Sequence, residues 1–135
     1  MAKQVTLEAA ERVIDACRKK AEEVGVPMCV AVDDGGANLV AFVRMDGALL
    51  VAAEVAENKA HTAVRFQMST GDLTPLVQPG APLYGIQVVG GGKLVVFGGG
   101  VPLTGEDGRV VGAVGVSGGS PEQDQDMAAA GAAAF

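Results

Sequence analysis

Two acidic–glycine turn signals, Asp33-Asp34-Gly35-Gly36 and Glu106-Asp107-Gly108, interrupt apolar runs of strand length. Such turns are the clearest short-range mark of a β-hairpin. They limit this chain more than any other feature. Strands that arrive in hairpins pair antiparallel, so a βαβ crossover and a Rossmann unit are not expected. The first turn joins Met28–Val32 to Asn38–Arg44, and the second leads into Arg109–Val116. A further β-branched run, Lys93 to Phe97, lies between the triplets Gly90-Gly91-Gly92 and Gly98-Gly99-Gly100.

Helical spacing fills the segments around the hairpins. Thr6 can cap a first helix, in which Leu7, Ala10, Val13, Ile14, Cys17, Ala21 and Val24 recur on one face; Gly25 and Pro27 stop it. A second helix, rich in Ala and free of Gly and Pro, runs from about Leu49 to Gln67. Ser69-Thr70-Gly71 ends it, Asp72–Val77 adds a helical turn, and Gln78–Pro82 is an irregular loop. Ser120 and Gln123 form a capping-box pattern ahead of a last Ala-rich helix anchored by Met127 and Phe135. The order α-β-β-α-(loop)-β-β-α defines an α+β domain, an antiparallel sheet with helices packed on it, over residues 1–135.

Aromatic residues are only 4% of the 135 and Trp is absent, although 49% are hydrophobic. The core is therefore built from Val, Leu, Ile and Ala. Small side chains allow close backbone approach, which suits tight subunit packing or a ligand against the main chain. A net charge of −6 argues against nucleic acid and against anionic membranes as partners. No run of about 18 apolar residues is present. The start, Met1-Ala2-Lys3-Gln4, is too short and polar for a secretory signal. Cys17 and Cys29 sit in apolar segments without a CxxC pattern and read as buried thiols of a reducing, cytoplasmic protein.

Several residues can carry chemistry. Glu54, Glu57, Asn58, His61 and Arg65 fall on one stripe of the second helix. Glu54 and Glu57 are the metal candidates. His61, the only His, is a candidate ligand or general base; the alternative is a solvated face stitched by helical neighbours. Arg44 can clamp a carboxylate or pair with Asp46, and Asp46 is a second candidate base. Met45 suits an apolar ligand or the core. Lys59 lies on another face of the helix, as a solvated or snorkelling side chain. Ser117-Gly118-Gly119 precedes a helix N-terminus whose amides can meet an anion; the alternative is that Ser120 caps the helix. The glycine clusters serve either a ligand or tight turns and packing. Tyr84 follows a Pro-rich loop, as a lid or a packing residue.

Taken in order, Val32-Asp33-Asp34-Gly35-Gly36, Arg44-Met45-Asp46-Gly47-Ala48, Lys59-Ala60-His61-Thr62-Ala63, Gly98-Gly99-Gly100-Val101-Pro102 and Val111–Gly119 resemble the GlcG/HbpS-like, haem-degrading family. The same series resembles the C-terminal domain of some corrinoid adenosyltransferases. The resemblance implies a profilin-like sandwich, homo-oligomers of four or eight subunits, and haem binding in some members. It also implies an accessory place in small-molecule catabolism. Glu54-x-x-Glu57 is similar in spacing to an acidic pair through which HbpS-like members bind iron, whereas His61 fills a variable position. The expected function is a small-ligand site, haem or another tetrapyrrole, around Arg44, Asp46, Lys59, His61, Ser117, Gly118 and Gly119. The alternatives are a cofactor-free enzyme using Asp46 or His61 as base, and a structural or regulatory homo-oligomer.

Overall fold

The computed structural model describes residues 4–135, so the polar start, Met1 to Lys3, lies outside the described residues. Helix α1 spans Leu7–Val24 and is capped as its sequence demands. The Thr6 hydroxyl accepts from the Ala9 amide, and Gly25 closes the far end in the left-handed region. The first hairpin follows as β1, Cys29–Asp34, and β2, Leu39–Arg44. Helix α2 is Ala52–Phe66, shorter at its start than its composition suggests. One helical turn, Thr70–Leu73, runs into a 3-10 turn, Thr74–Val77. Strands β3, Gly100–Thr104, and β4, Val110–Ser117, form the second hairpin. Helix α3, Pro121–Ala133, closes the chain behind the reciprocal Ser120–Gln123 capping box. No helix of the described residues is long and apolar enough to cross a membrane.

The sheet order is β2-β1-β4-β3, antiparallel throughout. Its two faces are covered differently. Val30, Val32, Val114 and Val116 point to one side, where α1 and α3 complete a cluster with Val13, Ile14, Leu103 and Met127. Cys29 and Ala31 point to the other side and meet Ala52, Ala56 and Ala60 of α2. Side chains alternate along a strand, so one strand serves both layers.

The small residues act between α2 and the sheet. A Cβ on Gly115 would strike the Ala56 carbonyl and the Ala60 amide, and one on Gly100 would strike the Lys59 carbonyl. These glycines let α2 lie directly on the strand backbone, which accounts for the paucity of large core side chains.

One expected strand is not formed. Lys93–Phe97 is irregular, and pairing begins only at Gly100. Its backbone is held by threonine hydroxyls instead. Val95 N–H donates to Thr62 Oγ1 at 3.0 Å, while Thr74 and Thr70 donate to the carbonyls of Val96 and Phe97 at 2.8 and 2.6 Å. A β-branched run whose polar groups are already satisfied gains nothing by joining a ladder.

The substitution Gly115→Ala tests the close α2 contact. It is expected to destabilise the protein by about 1–3 kcal/mol, the usual cost of overpacking, read as a lower urea midpoint at unchanged m-value.

Candidate functional site

The sheet register sorts the sequence-derived candidates into two groups. Arg44 pairs across from Cys29, which pairs in turn with Ser117, so Arg44 and the Ser117-Gly118-Gly119 turn share one end of the sheet. Asp33 pairs with Leu39 and Ala113 at the other end, and His61 lines a hollow there. Four strand residues separate the two ends, about 13 Å. A single small ligand therefore cannot touch both Arg44 and His61.

At the first end, Arg18, Glu22, Val43, Arg44, Met45 and Asp46 line an open cleft of about 350 Å3. Arg44 and Asp46 are both exposed and form no ion pair with each other. Arg18 is only loosely engaged, 3.8 Å from Asp15. The Met45 sulfur accepts from the Met28 amide at 3.4 Å, which settles Met45 as a local structural contact. The chain leaves this cleft directly into Leu49-Leu50-Val51, which are 63%, 93% and 56% exposed.

Lys59 corrects the expectation of a solvated or snorkelling lysine. It is fully buried, and its ammonium donates to Asp124 Oδ2 at 2.8 Å and to the Val116 carbonyl at 2.9 Å. The third side of the ammonium faces the Phe97 ring, 5.0 Å from the centroid. Burial pushes the Lys59 pKa down, and the hydrogen bond and charge of Asp124 oppose that. The other oxygen of Asp124 accepts from the Gly119 amide at 2.8 Å. That amide, expected to meet a ligand, is thus satisfied within the chain. Ser117 is nearly buried and belongs to β4. Gly118 packs so close to the Pro27 carbonyl that a Cβ there would collide. Gly99, likewise, leaves room for the Lys59 ammonium. The packing alternative therefore accounts for both glycine clusters.

At the second end, Asp33, Ala37, Leu39, Glu57, Asn58, His61 and Lys93 line a hollow of about 180 Å3. His61 Nε2 stands 3.5 Å from Arg65 Nη1. Burial first, then the charges of Arg65 and Lys93, lower its pKa, so the imidazole is neutral near pH 7. Among the described residues no group of three or more His, Cys, Asp or Glu is placed to hold a metal ion, so His61 does not join Glu54 and Glu57 in a three-ligand set. Positions spread over seven residues stretch about 10 Å along a helix axis, too far to converge. Tyr84 stands 64% exposed in the loop after Pro82.

Asp33 is the site residue that the sequence reading passed over as a turn residue. It is 3% exposed, and its carboxyl makes no hydrogen bond among the described residues. Burial, then the charges of Asp34 and Glu57, push its pKa up to about 7. Strand alternation was the available signal, since Cys29, Ala31 and Asp33 share the face that α2 covers. Asp124, in the first turn of α3, left no such signal.

A four-stranded antiparallel sheet with helices on both faces, and a hollow at each end of its first hairpin, defines a small α+β module. By sequence the chain belongs to the HbpS-like haem-degrading protein family, whose model matches residues 5–133. It is 44% identical over 124 residues to an uncharacterised 15.0 kDa protein of the dhaT–dhaS intergenic region of Citrobacter freundii, covering 92% of this chain and 87% of that one. It is 41% identical over 134 residues to the corrinoid adenosyltransferase PduO of the same organism, covering 99% of this chain but only 40% of PduO. Among solved structures, the PduOC:haem complex superposes with a TM-score of 0.93 at 39% identity, over 98% of this chain and 96% of that one.

Two outcomes follow from these geometries. Asp124→Asn or Lys59→Ala leaves a buried charge without its partner and is expected to cost about 3–5 kcal/mol by denaturant titration. Asp33 has a folded pKa raised above 3.8, so its contribution to stability is greatest below that value and is lost as pH rises through about 7. The melting temperature of Asp33→Asn is therefore expected to exceed that of the parent at pH 8, with a smaller difference at pH 4.

Proposed function

We propose that this chain binds haem within a homo-oligomer, at the cleft of Arg18, Val43, Arg44, Met45 and Asp46. The observation that carries this reading is a cleft lined by two guanidinium groups, Arg18 and Arg44, with Glu22, Asp46, Val43 and Met45, which the chain leaves three residues before the exposed aliphatic run Leu49-Leu50-Val51. Propionates are carboxylates that Arg pairs bidentately, and a porphyrin ring needs apolar cover. The cleft, about 350 Å3, lies within the range of small-ligand sites. It is open, so a second copy of the chain would have to supply the remaining cover. The haem complex of PduOC, a relative of similar fold, supports the choice of ligand.

Arg44 and Arg18 would hold the propionates, and Val43 with the Leu49–Val51 run would take the ring edge. Ser117, through its pairing with Cys29, together with Gly118, Gly119 and the Lys59–Asp124 pair, would keep this end of the sheet in shape. His61 lines the hollow at the other end of the sheet, which favours a haem that does not use it. A bound haem supplies redox and ligand-exchange chemistry, tuned by the residues around it. The match to PduO supports a place accessory to small-molecule catabolism, and the free, buried thiols Cys17 and Cys29 support a reducing, cytoplasmic setting.

Haemin titration followed by the Soret band tests the reading. The parent is expected to give a saturable shift at micromolar haemin, and Arg44→Ala to weaken it about tenfold, the worth of one charge-assisted hydrogen bond. His61→Ala is expected to bind as the parent does. No shift in the parent, or an unchanged affinity in Arg44→Ala, overturns it.

A further inference from the structure

We propose that the hollow at the other end of the sheet, walled by Asp33, Glu57, Asn58 and His61, is a second binding site, for the ammonium group of a short primary amine. It stands apart from the arginine cleft and does not depend on the haem reading. The starting observation is Asp33. Asp33 is 3% exposed and its carboxyl has no hydrogen-bond partner among the described residues, so the donors it can reach are those that enter the hollow. It lines the hollow, so a donor arriving there would satisfy it.

The lining says what kind of donor. Asp33 and Glu57 have carboxyl oxygens and Asn58 an amide oxygen to offer, while His61 Nε2 stands against Arg65. An ammonium group carries three N–H donors, one for each of those three residues. The charges acting on Asp33 are those of Asp34 and Glu57, both acidic, and Lys93 is the cationic residue among those lining the hollow. A divalent metal is a poor match, since no metal-holding cluster of three ligating side chains is present among the described residues. At about 180 Å3 the hollow takes only a small molecule, and Ala37 with Leu39 offers an apolar wall for a short alkyl arm. Lys93 stands at the rim, where it would meet any hydroxyl or carboxylate at the far end of the ligand.

Asp33, with its pKa pushed up to about 7, is partly protonated near neutrality. A bound cation stabilises the carboxylate, so binding releases a proton and tightens as pH rises from 6 to 8. The groups facing Asp33 through this range are Asp34 on its own strand, Glu57 and His61 on α2, and Lys93 on the loop.

Calorimetric titration of the intact protein with n-propylammonium chloride tests the site, with tetramethylammonium and sodium propionate as controls. The expected result is saturable millimolar binding of propylammonium alone, tighter at pH 8 than at pH 6, with proton release seen as a dependence on buffer ionisation heat. Glu57→Gln, a surface change, is expected to weaken binding about tenfold and Asp33→Asn to abolish it, both with unchanged far-ultraviolet circular dichroism. Lys93→Ala is expected to bind as tightly or more so, because it removes a like charge. The proposal is overturned if propylammonium gives no saturable heat, if tetramethylammonium binds equally well, or if Asp33→Asn retains the parent affinity. Tighter binding of propionate than of propylammonium overturns it too, and would assign the hollow to an anion. None of these outcomes depends on whether haemin binds the parent.

Discussion

The contact between the Lys59 ammonium and the Asp124 carboxylate joins three elements of the fold. Lys59 comes from α2, Asp124 from α3, and the Val116 carbonyl that accepts the second hydrogen bond from β4. The two helices lie on opposite faces of the sheet, so the pair passes around the strand end and clamps the layers together. Asp124 extends the clamp to the β4–α3 turn through the Gly119 amide. Neither charge is stable alone in that environment, which makes the pair a condition for the packing and not an addition to it. Gly99 must lack a side chain for the ammonium to arrive, and Phe97 roofs it.

The chemistry of the surface follows from that internal arrangement. With Lys59 and the Gly119 amide committed to the clamp, the groups left to face a ligand lie at the two ends of the β1–β2 hairpin. One end brings Arg18 and Arg44 together with Glu22 and Asp46, and the other brings Asp33 and Glu57 together with His61 and Lys93. The antiparallel register is what holds Arg44 and Asp33 apart, since each is fixed opposite its own partner on the neighbouring strands.

Legibility in the sequence tracked the range of the interaction. The Thr6 cap, the Gly25 stop, both hairpin turns and the Ser120–Gln123 box are satisfied within a few residues of chain, and each formed where its pattern stands. The family resemblance held as well, over nearly the whole length. The failures involve distant partners. Lys93–Phe97 has the composition of a strand, but Thr62, Thr70 and Thr74 had already taken its backbone groups. Lys59 reads as one more solvated helix position until Asp124, 65 residues further on, is brought against it.

Local patterning therefore determined the long helices, the hairpin turns and the antiparallel pairing, because hydrogen bonds between near neighbours in the chain and alternation along strands are written in short windows of residues. Only the tertiary structure decided which polar groups are used up and which stay available. Asp33 and Asp34 are adjacent and chemically identical, yet one is buried beneath α2 without a partner while the other accepts from Gly36 and Asn38 in the turn. Burial and charge are set by everything packed around a group, and residues far away in the chain supply most of it.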